Sequence, residues 1–288
     1  MAQKSRTKLS IKIDFLVAYP YLRSKSTMNA ARSAVEAGHR LWLDSGAFTT
    51  YKAGGQPTAV SDYVSFIRGL DFPIERIFTL DVVGDPIATK RNHDRLLDAG
   101  IRPVPIFTPG TQLKALDVMY EASDLVAVGG INTNKGSGGG GPGWAKYVLE
   151  HEARPLHLLG FINKPIIAKY KPYSVDASSW TFARRAGQID FYIGRGKNVT
   201  LRRTEMASGI NSEQMDAINA YNASVKELRK ESSWRGGYSV SSILNGRSSI
   251  RLMLDIRSQF ATRYVFACAG GSDLNEIILA AKIESQMQ

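Results

Sequence analysis

Three aspartates stand at the ends of apolar runs that resemble short strands. Asp44, Asp81 and Asp176 close the runs that begin at positions 40, 76 and 173. Carboxylates suit chemistry at an anomeric carbon, because the transition state there is cationic and a nearby anion stabilises it. One carboxylate can attack C1′ while a second donates or accepts the proton of the group that leaves or arrives.

Each aspartate alone also has a structural interpretation, as a helix cap or a turn residue. Three such residues on three runs favour a shared site over three coincidences. The histidines do not pair with them in sequence, since His39, His93, His151 and His157 stand singly. His157 lies within the apolar run 156–159 and is interpreted as a packed strand residue rather than a base. No spacing of His, Asp and Glu suggests a metal site.

Strand and helix patterns alternate seven times between residues 11 and 176, with short connections. Such alternation predicts an α/β fold with a parallel sheet and crossover helices. Seven or eight units favour a closed (β/α)8 TIM barrel over an open doubly wound sheet. No Gly-x-Gly-x-x-Gly follows the first strand, which weakens the dinucleotide-binding alternative. In a barrel the carboxyl ends of the strands face the active site, so the three aspartates are expected to meet there.

The alternation breaks after Asp176 and resumes with one apolar run near the end of the chain. The run 264–269 is the expected last strand of the sheet. Residues 180–262 are then a basic hairpin and helical insertion, and residues 1–288 are expected to form one catalytic domain.

The insertion has local patterns of its own. Two β-like runs at 188–194 and 198–203 predict a hairpin. Asn211, with a glutamine three residues later, matches a capping box and predicts a long helix whose apolar face continues to Leu228. A polar, Ser-rich stretch follows, and the next helix is expected at 250–260.

The chain is basic. Its 288 residues contain 37 Lys and Arg against 26 Asp and Glu, so the formal net charge is +11. Soluble proteins this basic often bind a polyanion, although a solvated basic surface would give the same composition. Cations concentrate after Asp176, interleaved with aromatic residues. The candidates for nucleic-acid contact are Arg184, Arg185, Arg195, Lys197, Arg202 and Arg203.

Cys268 is the only cysteine, which excludes a disulfide within the chain and a Cys-rich zinc site. Its apolar neighbours predict a buried structural thiol. The sequence shows no signal peptide and no membrane segment, so a cytoplasmic location is expected, with no membrane partner. The glycine-rich loop at 136–143 suits either a lid or a slack linker, and no Lys-Ser/Thr pair makes it a phosphate-binding loop.

From Leu43 to Thr49 the sequence resembles the queuine/archaeosine tRNA-guanine transglycosylase superfamily, which has Asp-Ser-Gly-Gly-Phe/Tyr-Gln there. Later segments resemble further motifs of that family in the same order, and the predicted hairpin also has a counterpart. These are the base-recognising strand at 78–81, the Gly-Gly segment at 128–130, the Leu-Met-Gly-Val segment at 157–161 and the nucleophile segment at 175–179. The resemblance covers about residues 40 to 203.

The resemblance implies a base-exchange reaction and a role for each matching residue. Asp176 would be the nucleophile that attacks C1′ and expels guanine, and Asp44 would be the general acid/base. Asp81 and Ser45 would hydrogen-bond the guanine or 7-deazaguanine, and Phe48 would stack on it. The other residues of the implied base pocket are Gly129, Gly130, Leu159 and Gly160.

Departures from the family pattern bear on the substrate. The tRNA enzymes carry a Cys3His zinc site after the hairpin, whereas residues 204–262 here contain neither cysteine nor histidine. Ala47 replaces the second glycine of the core motif, Thr49 replaces the glutamine, and the chain is shorter. These features are similar to the DNA-acting, DpdA-type branch, which places 7-deazaguanines such as preQ0 into phage or bacterial DNA. The implied partners are DNA and a free 7-deazaguanine base, with no zinc or other cofactor.

Several alternatives stay open at this point. A zinc-free tRNA-guanine transglycosylase, a non-catalytic nucleic-acid-binding subunit on the same barrel and a hydrolytic glycosylase would share these residues. Ser45 and Gly46 also suit a plain turn, Phe48 a core position, and Gly129 with Gly130 a tight turn. The oligomeric state is open, a homodimer included, and a phage-encoded protein would act in the host cytoplasm.

Overall fold

The structure is a computed structural model and describes residues 10–131 and 140–287. Strands and helices alternate along most of this part of the chain, which confirms the predicted α/β class. The strands in the described ranges are β1 (Asp14–Ala18), β2 (Arg40–Asp44), β3 (Arg76–Ile77), β4 (Ile106–Phe107), β5 (Val126–Val128), β6 (Leu156–Leu158), β7 (Ser174–Ala177), β8 (Gln188–Gly194), β9 (Lys197–Arg202) and β10 (Arg263–Cys268).

Within the described residues the chain forms two compact units. The sheet unit consists of Asp14–Ser178 and Ile256–Gly271. The hairpin unit consists of Ser179–Asp255 with short stretches from both ends of the chain, 10–13 and 272–287. The expected single domain with an insertion at 180–262 stays a prediction.

Eight strands of the sheet unit form one parallel, curled sheet in the order β3-β2-β1-β10-β7-β6-β5-β4. The expected last strand is β10, which pairs with β1 on one side and β7 on the other. An isolated parallel bridge between Phe78 and Val104 lies beside β3 and β4. The parallel arrangement brings the carboxyl ends of all eight strands to one end of the sheet.

Helices connect most of the strands. Side-chain oxygens of Ser24, Asp85 and Asn163 accept a backbone N–H of the first turn and so begin α2, α5 and α8. The helices are α1 (Tyr19–Leu22), α2 (Lys25–Glu36), α3 (Ala47–Lys52), α4 (Val60–Arg68), α5 (Pro86–Asp98), α6 (Ala115–Ala122), α7 (Pro142–His151), α8 (Lys164–Tyr170), α9 (Ser179–Arg185), α10 (Glu205–Ser208), α11 (Ser212–Ala220), α12 (Val225–Leu228), α13 (Val240–Phe260) and α14 (Gly271–Met287), with a 3-10 helix at Glu231–Trp234.

The core of the sheet unit is apolar and aromatic, and an ion cluster lies at the amino ends of the strands. Trp42 and Phe78 are fully buried, with ring centroids 5.9 Å apart. At the amino ends of the strands, the buried carboxylate of Asp14 binds the guanidinium groups of Arg40 and Arg263. A carboxylate taken out of water needs such partners, so this cluster closes the end of the sheet that is opposite the three aspartates.

The hairpin unit is organised around β8 and β9, which pair antiparallel as predicted. One face of this hairpin carries Ile189, Phe191 and Leu201, which are fully buried. They belong to one apolar cluster with Ile218 of α11 and Trp234 of the 3-10 helix. Burial of these large side chains stabilises a two-stranded hairpin, which is marginal alone.

Two helix predictions in the hairpin unit are wrong. The capping box at Asn211 does begin a helix, but α11 ends at Ala220 and α12 starts only at Val225. Asn222 has φ 50° between them, a left-handed conformation that no helix continues through. The second helix, expected from residue 250, begins at Val240, because the Ser-rich stretch is helical and its polar side chains have partners within the unit.

Candidate active site

The three aspartates lie around one cavity. Asp44 is the last residue of β2, Asp81 follows β3, and Asp176 lies near the end of β7. All three line a cavity of about 690 Å³ in the sheet unit, within the range typical of small-molecule sites. The tertiary structure thus brings together carboxylates that are separated by up to 132 positions, since 176 − 44 = 132.

Asp176 is buried and held by two donors. The backbone N–H of Gly160 donates to Oδ1 at 2.7 Å, and the imidazole Nε2 of His157 lies 3.1 Å from the same oxygen. Only 4% of the Asp176 surface is exposed, so these contacts replace the water that a carboxylate would otherwise bind.

His157 was expected to be a packed strand residue only, and that interpretation is incomplete. Its side chain is fully buried and packs against the rings of Trp42 and Phe78, at centroid distances of 5.2 and 5.1 Å. It also contacts Asp176 and, through Nδ1, the hydroxyl of Ser174 at 2.8 Å. The sequence does contain a signal for a polar cluster, because Ser174 and Asp176 are two positions apart on β7 and must share a face.

Asp44 has a different environment. Its carboxylate is half-buried and accepts a hydrogen bond from the backbone N–H of Gly46 to Oδ2 at 2.9 Å. Burial, then the negative charge of Asp81 and, more weakly, that of Asp176 raise the pKa of Asp44 to about 7. Because its surroundings disfavour the anion, Asp44 can carry a proton near neutral pH.

Asp81 and Ser45 form a pair at the wall of the cavity. The Ser45 hydroxyl donates to Asp81 Oδ1 at 2.9 Å, and only 1% of Ser45 is exposed. Burial raises the pKa of Asp81, while the bond from Ser45 opposes that rise. Asp81 therefore faces the cavity directly, and Ser45 lies behind it as a donor that orients the carboxylate.

Phe48, Leu159 and Gly160 also line the cavity. Phe48 lies on α3, which begins directly after Gly46, and the ammonium group of Lys52 lies 4.6 Å from the centre of its ring. Leu159 and Gly160 follow β6. A flat aromatic ring and an aliphatic side chain on the cavity wall suit a planar ligand between them.

Gly129 and Gly130 line the cavity as well, and both are constrained by packing. A Cβ atom on Gly129 would lie 2.7 Å from Ile106 Cγ2. Gly130 has φ +73°, and a Cβ there would lie 2.6 Å from Pro109 Cδ. These glycines are thus required by the protein itself, whatever ligand the cavity takes.

Other lining residues carry no sequence signal for a site. Tyr21 of α1 lines the cavity together with small residues at the end of β10, among them Ala267 and Cys268. The Cys268 thiol is buried, as expected for a structural thiol, and its Sγ donates to the carbonyl of Phe266 at 3.4 Å. Small side chains leave room in the cavity beside the larger groups.

The predicted nucleic-acid contacts all belong to the hairpin unit. Arg185, Arg195 and Lys197 are exposed. Arg202 lies 3.9 Å from Glu205, and Arg203 lies 3.0 Å from Glu231, so these two cations have carboxylate neighbours. The remaining candidate is Arg184, whose side chain lies outside the description. Residues 136–139 of the glycine-rich loop, expected to be a lid or a slack linker, lie outside the described residues.

Residues 10–131 and 140–287 contain neither a metal-binding cluster nor a membrane-spanning helix. In those ranges no group of three or more His, Cys, Asp or Glu side chains could hold a metal ion. In the same ranges no helix combines the length and the apolarity needed to cross a bilayer. The expectations of no zinc and of a cytoplasmic location stay predictions.

Comparison with models of known protein families gives no match, and a search of curated proteins gives none either. The resemblance to transglycosylases therefore stands on the motifs between residues 40 and 203. The geometry of the cavity and the chemistry of its carboxylates are the structural features that bear on function.

Proposed function

We propose that this protein is a DNA guanine transglycosylase, which exchanges guanine in DNA for a 7-deazaguanine base of the preQ0 type. It would be a base-exchanging glycosyltransferase of the cytoplasm, with no resident metal or cofactor. The observation that carries the proposal is the pair formed by Asp44 and Asp176, two carboxylates that line one cavity in different environments. The motifs between 40 and 203 suggest the reaction that such a pair performs.

Two carboxylates in different surroundings are suited to separate roles. Asp176, held by contacts from Gly160 and His157, is positioned to attack carbon. Asp44, with its pKa raised to about 7, is suited to give and to regain a proton near neutral pH.

The proposed reaction has two balanced steps. In the first, Asp176 attacks C1′ of the target nucleotide, the bond from C1′ to N9 breaks, and its electron pair leaves with guanine, which takes the proton of Asp44. In the second, the incoming base gives its N9 proton to Asp44 and attacks C1′. The ester bond from C1′ to Asp176 then breaks, and the electron pair returns to the carboxylate.

Base recognition would fall to the opposite wall of the cavity. Asp81, oriented by Ser45, offers acceptors for the N–H groups of a guanine-like base. Phe48 and Leu159 offer two apolar surfaces on which a planar base can stack. A nucleotide must leave the helical stack to reach such a cavity, because C1′ and the base edge are otherwise covered.

A closed (β/α)8 barrel is the architecture that we propose for the sheet unit. Its support is the bridge between Phe78 and Val104, which joins the chain beside β3 to the chain beside β4. β3 and β4 are the two ends of the strand order of the parallel sheet. Closure would place all eight carboxyl ends in a ring, as in enzymes with this architecture.

DNA is proposed over tRNA because of the hairpin unit. Residues 204–262 contain no cysteine or histidine, so they lack the zinc ligands of the tRNA enzymes. The described hairpin unit holds an apolar cluster that includes Tyr221, Leu228 and Trp234 in this region. The net charge of +11 does not separate the two substrates, since both are polyanions.

The test is a covalent-trapping assay with base exchange. Wild-type protein should form a denaturation-resistant adduct on guanine-containing DNA and exchange labelled guanine into it. Asp176→Ala should form no adduct and retain DNA binding within about twofold, because the variant loses the carboxylate that forms the bond but none of the cations expected to contact the DNA. Asp62→Ala, which removes an exposed carboxylate on α4, is the matched control and should behave as wild type.

Parallel reactions on tRNA and mass spectrometry of nucleosides from treated DNA complete the test. A 7-deazaguanine deoxynucleoside, formed when preQ0 is supplied, would identify both substrate and product. Exchange on tRNA alone would overturn the DNA assignment, and free guanine release without incorporation would indicate a hydrolase. An adduct formed by Asp176→Ala would exclude Asp176 as the nucleophile.

A further inference from the structure

We propose that His157 and Ser174 form a positioning pair that fixes the Asp176 carboxylate and assigns different tasks to its two oxygens. Oδ2 would form the bond to C1′, and Oδ1 would receive the hydrogen bonds that make Asp176 a good leaving group in the second step. This inference rests on the proposed function, and it adds two residues that touch neither base nor sugar.

Both donors recorded for Asp176 in the described residues bind Oδ1. Gly160 donates its backbone N–H at 2.7 Å, and His157 Nε2 lies at 3.1 Å. Asp176 also lines the cavity, so the carboxylate is tethered through one oxygen and accessible from the cavity. Oδ2 is therefore the oxygen that can reach a substrate carbon without breaking either contact.

The imidazole of His157 is itself rigidly held. It has no exposed surface and packs against the rings of Trp42 and Phe78. Ser174 is also fully buried, and it pairs with His157 in the register between β6 and β7. For a neutral imidazole, both contacts are satisfied when the Ser174 hydroxyl donates to Nδ1 and Nε2–H donates to Asp176. The two contacts thus select one tautomer of the neutral ring.

The pair affects the two steps unequally. While Asp176 is an ester, Oδ1 is a carbonyl oxygen and a weaker acceptor. As the ester bond breaks, the carboxylate regains its charge, and the bonds from His157 and Gly160 strengthen. Stabilisation that grows towards the transition state accelerates that step. In the first step the same bonds stabilise the free carboxylate more than the transition state, so their loss should not slow bond formation.

The variant that isolates this effect is His157→Phe, which keeps an aromatic ring against Trp42 and Phe78 but removes the donor. The covalent DNA adduct is purified, free guanine is added, and the rate of DNA release is measured. Release should be slower than in wild type by about 10- to 100-fold, as expected for the loss of one hydrogen bond to a developing charge. The adduct should therefore accumulate to a higher steady-state fraction in the variant.

Two further variants test whether the lost hydrogen bond causes the slower release. His157→Gln retains an N–H donor of similar reach and should recover part of the release rate. Ser174→Ala removes the hydroxyl that donates to Nδ1 and should slow release by about 3- to 10-fold. His151→Phe, at an exposed histidine of α7, is the control and should release DNA at the wild-type rate.

A structural role alone gives a different pattern. If His157→Phe slows formation and release by the same factor and His157→Gln recovers nothing, the positioning role is overturned. An unchanged release rate in His157→Phe overturns it as well. Urea unfolding curves of each variant identify losses that come from unfolded protein.

The hydrogen-bond geometry is tested without the reaction. Nitrogen NMR of the unliganded wild-type protein should show His157 protonated at Nε2 and unprotonated at Nδ1, and Ser174→Ala should alter those resonances. Protonation at Nδ1 alone would overturn the inference. Wild-type protein that forms no adduct on DNA or tRNA would overturn the proposed function instead, while the NMR result would still decide the geometry.

Discussion

Asp44 and Asp176 have the same side chain and line the same cavity, but their surroundings differ. Burial and the nearby charge of Asp81 raise the pKa of Asp44 to about 7, and its backbone hydrogen bonds oppose that rise. Asp176 has contacts from Gly160 and His157 on one oxygen. The two residues thus differ in their contacts, and Asp44 is the one expected to exchange a proton near neutral pH.

The two half-reactions should have opposite pH dependence. Adduct formation needs protonated Asp44, so its rate should be constant below about pH 7 and fall about tenfold per pH unit above it. Release by an incoming base needs ionised Asp44, so that rate should rise through the same pH range. Single-turnover trapping between pH 5 and pH 9 measures both, and parallel profiles for the two steps would contradict the assignment of Asp44.

Asp44 should also cost stability at high pH. Its pKa is raised from 3.8 to about 7 in the folded state, so the folded state binds more protons than the unfolded state between these values. Stability present at low pH is therefore lost as pH rises to about 7. Asp44→Asn should be more stable than wild type by about 1 to 3 kcal/mol at pH 8, with the gap closing towards pH 4. Urea unfolding at both pH values measures it, with Asp62→Asn as control.

At the scale of elements, α13 acts as a cover for the edge of β8. Asn245 accepts the backbone N–H of Asp190 at 3.0 Å and donates to the carbonyl of Gln188 at 2.9 Å. Ser248 accepts the backbone N–H of Tyr192 at 2.8 Å and donates to the carbonyl of Asp190. Two side chains three positions apart on a helix thus do for β8 what a third strand would do.

Ser248→Ala should destabilise the protein by about 1 to 3 kcal/mol, because it removes the partner of two backbone groups near the hairpin core. Alanine also has the higher helix propensity, which offsets part of that cost. Ser249→Ala, at the adjacent half-buried position of α13, shares the propensity gain and should change stability by less than about 0.5 kcal/mol. Equal urea midpoints for the two variants would mean that the edge bonds contribute nothing.

At the scale of the whole molecule, the cations behind the net charge of +11 differ in whether they have carboxylate partners. In the sheet unit, Arg40 and Arg263 are committed to the buried carboxylate of Asp14. In the hairpin unit, Arg195 and Lys197 are exposed and have no carboxylate partner among the described residues. Exposed cations without partners are the ones that can replace counterions along a phosphate backbone.

The hairpin cations should therefore contribute to DNA affinity and to its decrease with rising salt concentration. Lys197→Ala and Arg195→Asn should each weaken binding about equally for all sequences and reduce the slope of log K against log salt by about 1. Asparagine is chosen because Arg195 has φ 50°, a conformation that asparagine tolerates. Arg102→Ala removes an exposed cation ahead of β4 and should leave the slope unchanged. Unaltered slopes in both hairpin variants would mean that the DNA does not contact these cations.

The sequence by itself determined the features that depend on near neighbours. The sequence has local patterns in the apolar runs closed by Asp44, Asp81 and Asp176 and in the capping box at Asn211, and the structure has an element at each. The alternation of strand and helix also predicted a parallel sheet and therefore a common end for the aspartates. Local signals failed where distant partners mattered, as in the Ser-rich start of α13.

Only the tertiary structure decided how the site residues are paired and charged. The contact between His157 and Asp176 depends on the register of β6 against β7, which no short pattern encodes. The raised pKa of Asp44 depends on burial and on two carboxylates contributed by other strands. Electrostatic and hydrogen-bond environments are sums over groups far apart in sequence, so they exist only once the sheet has formed.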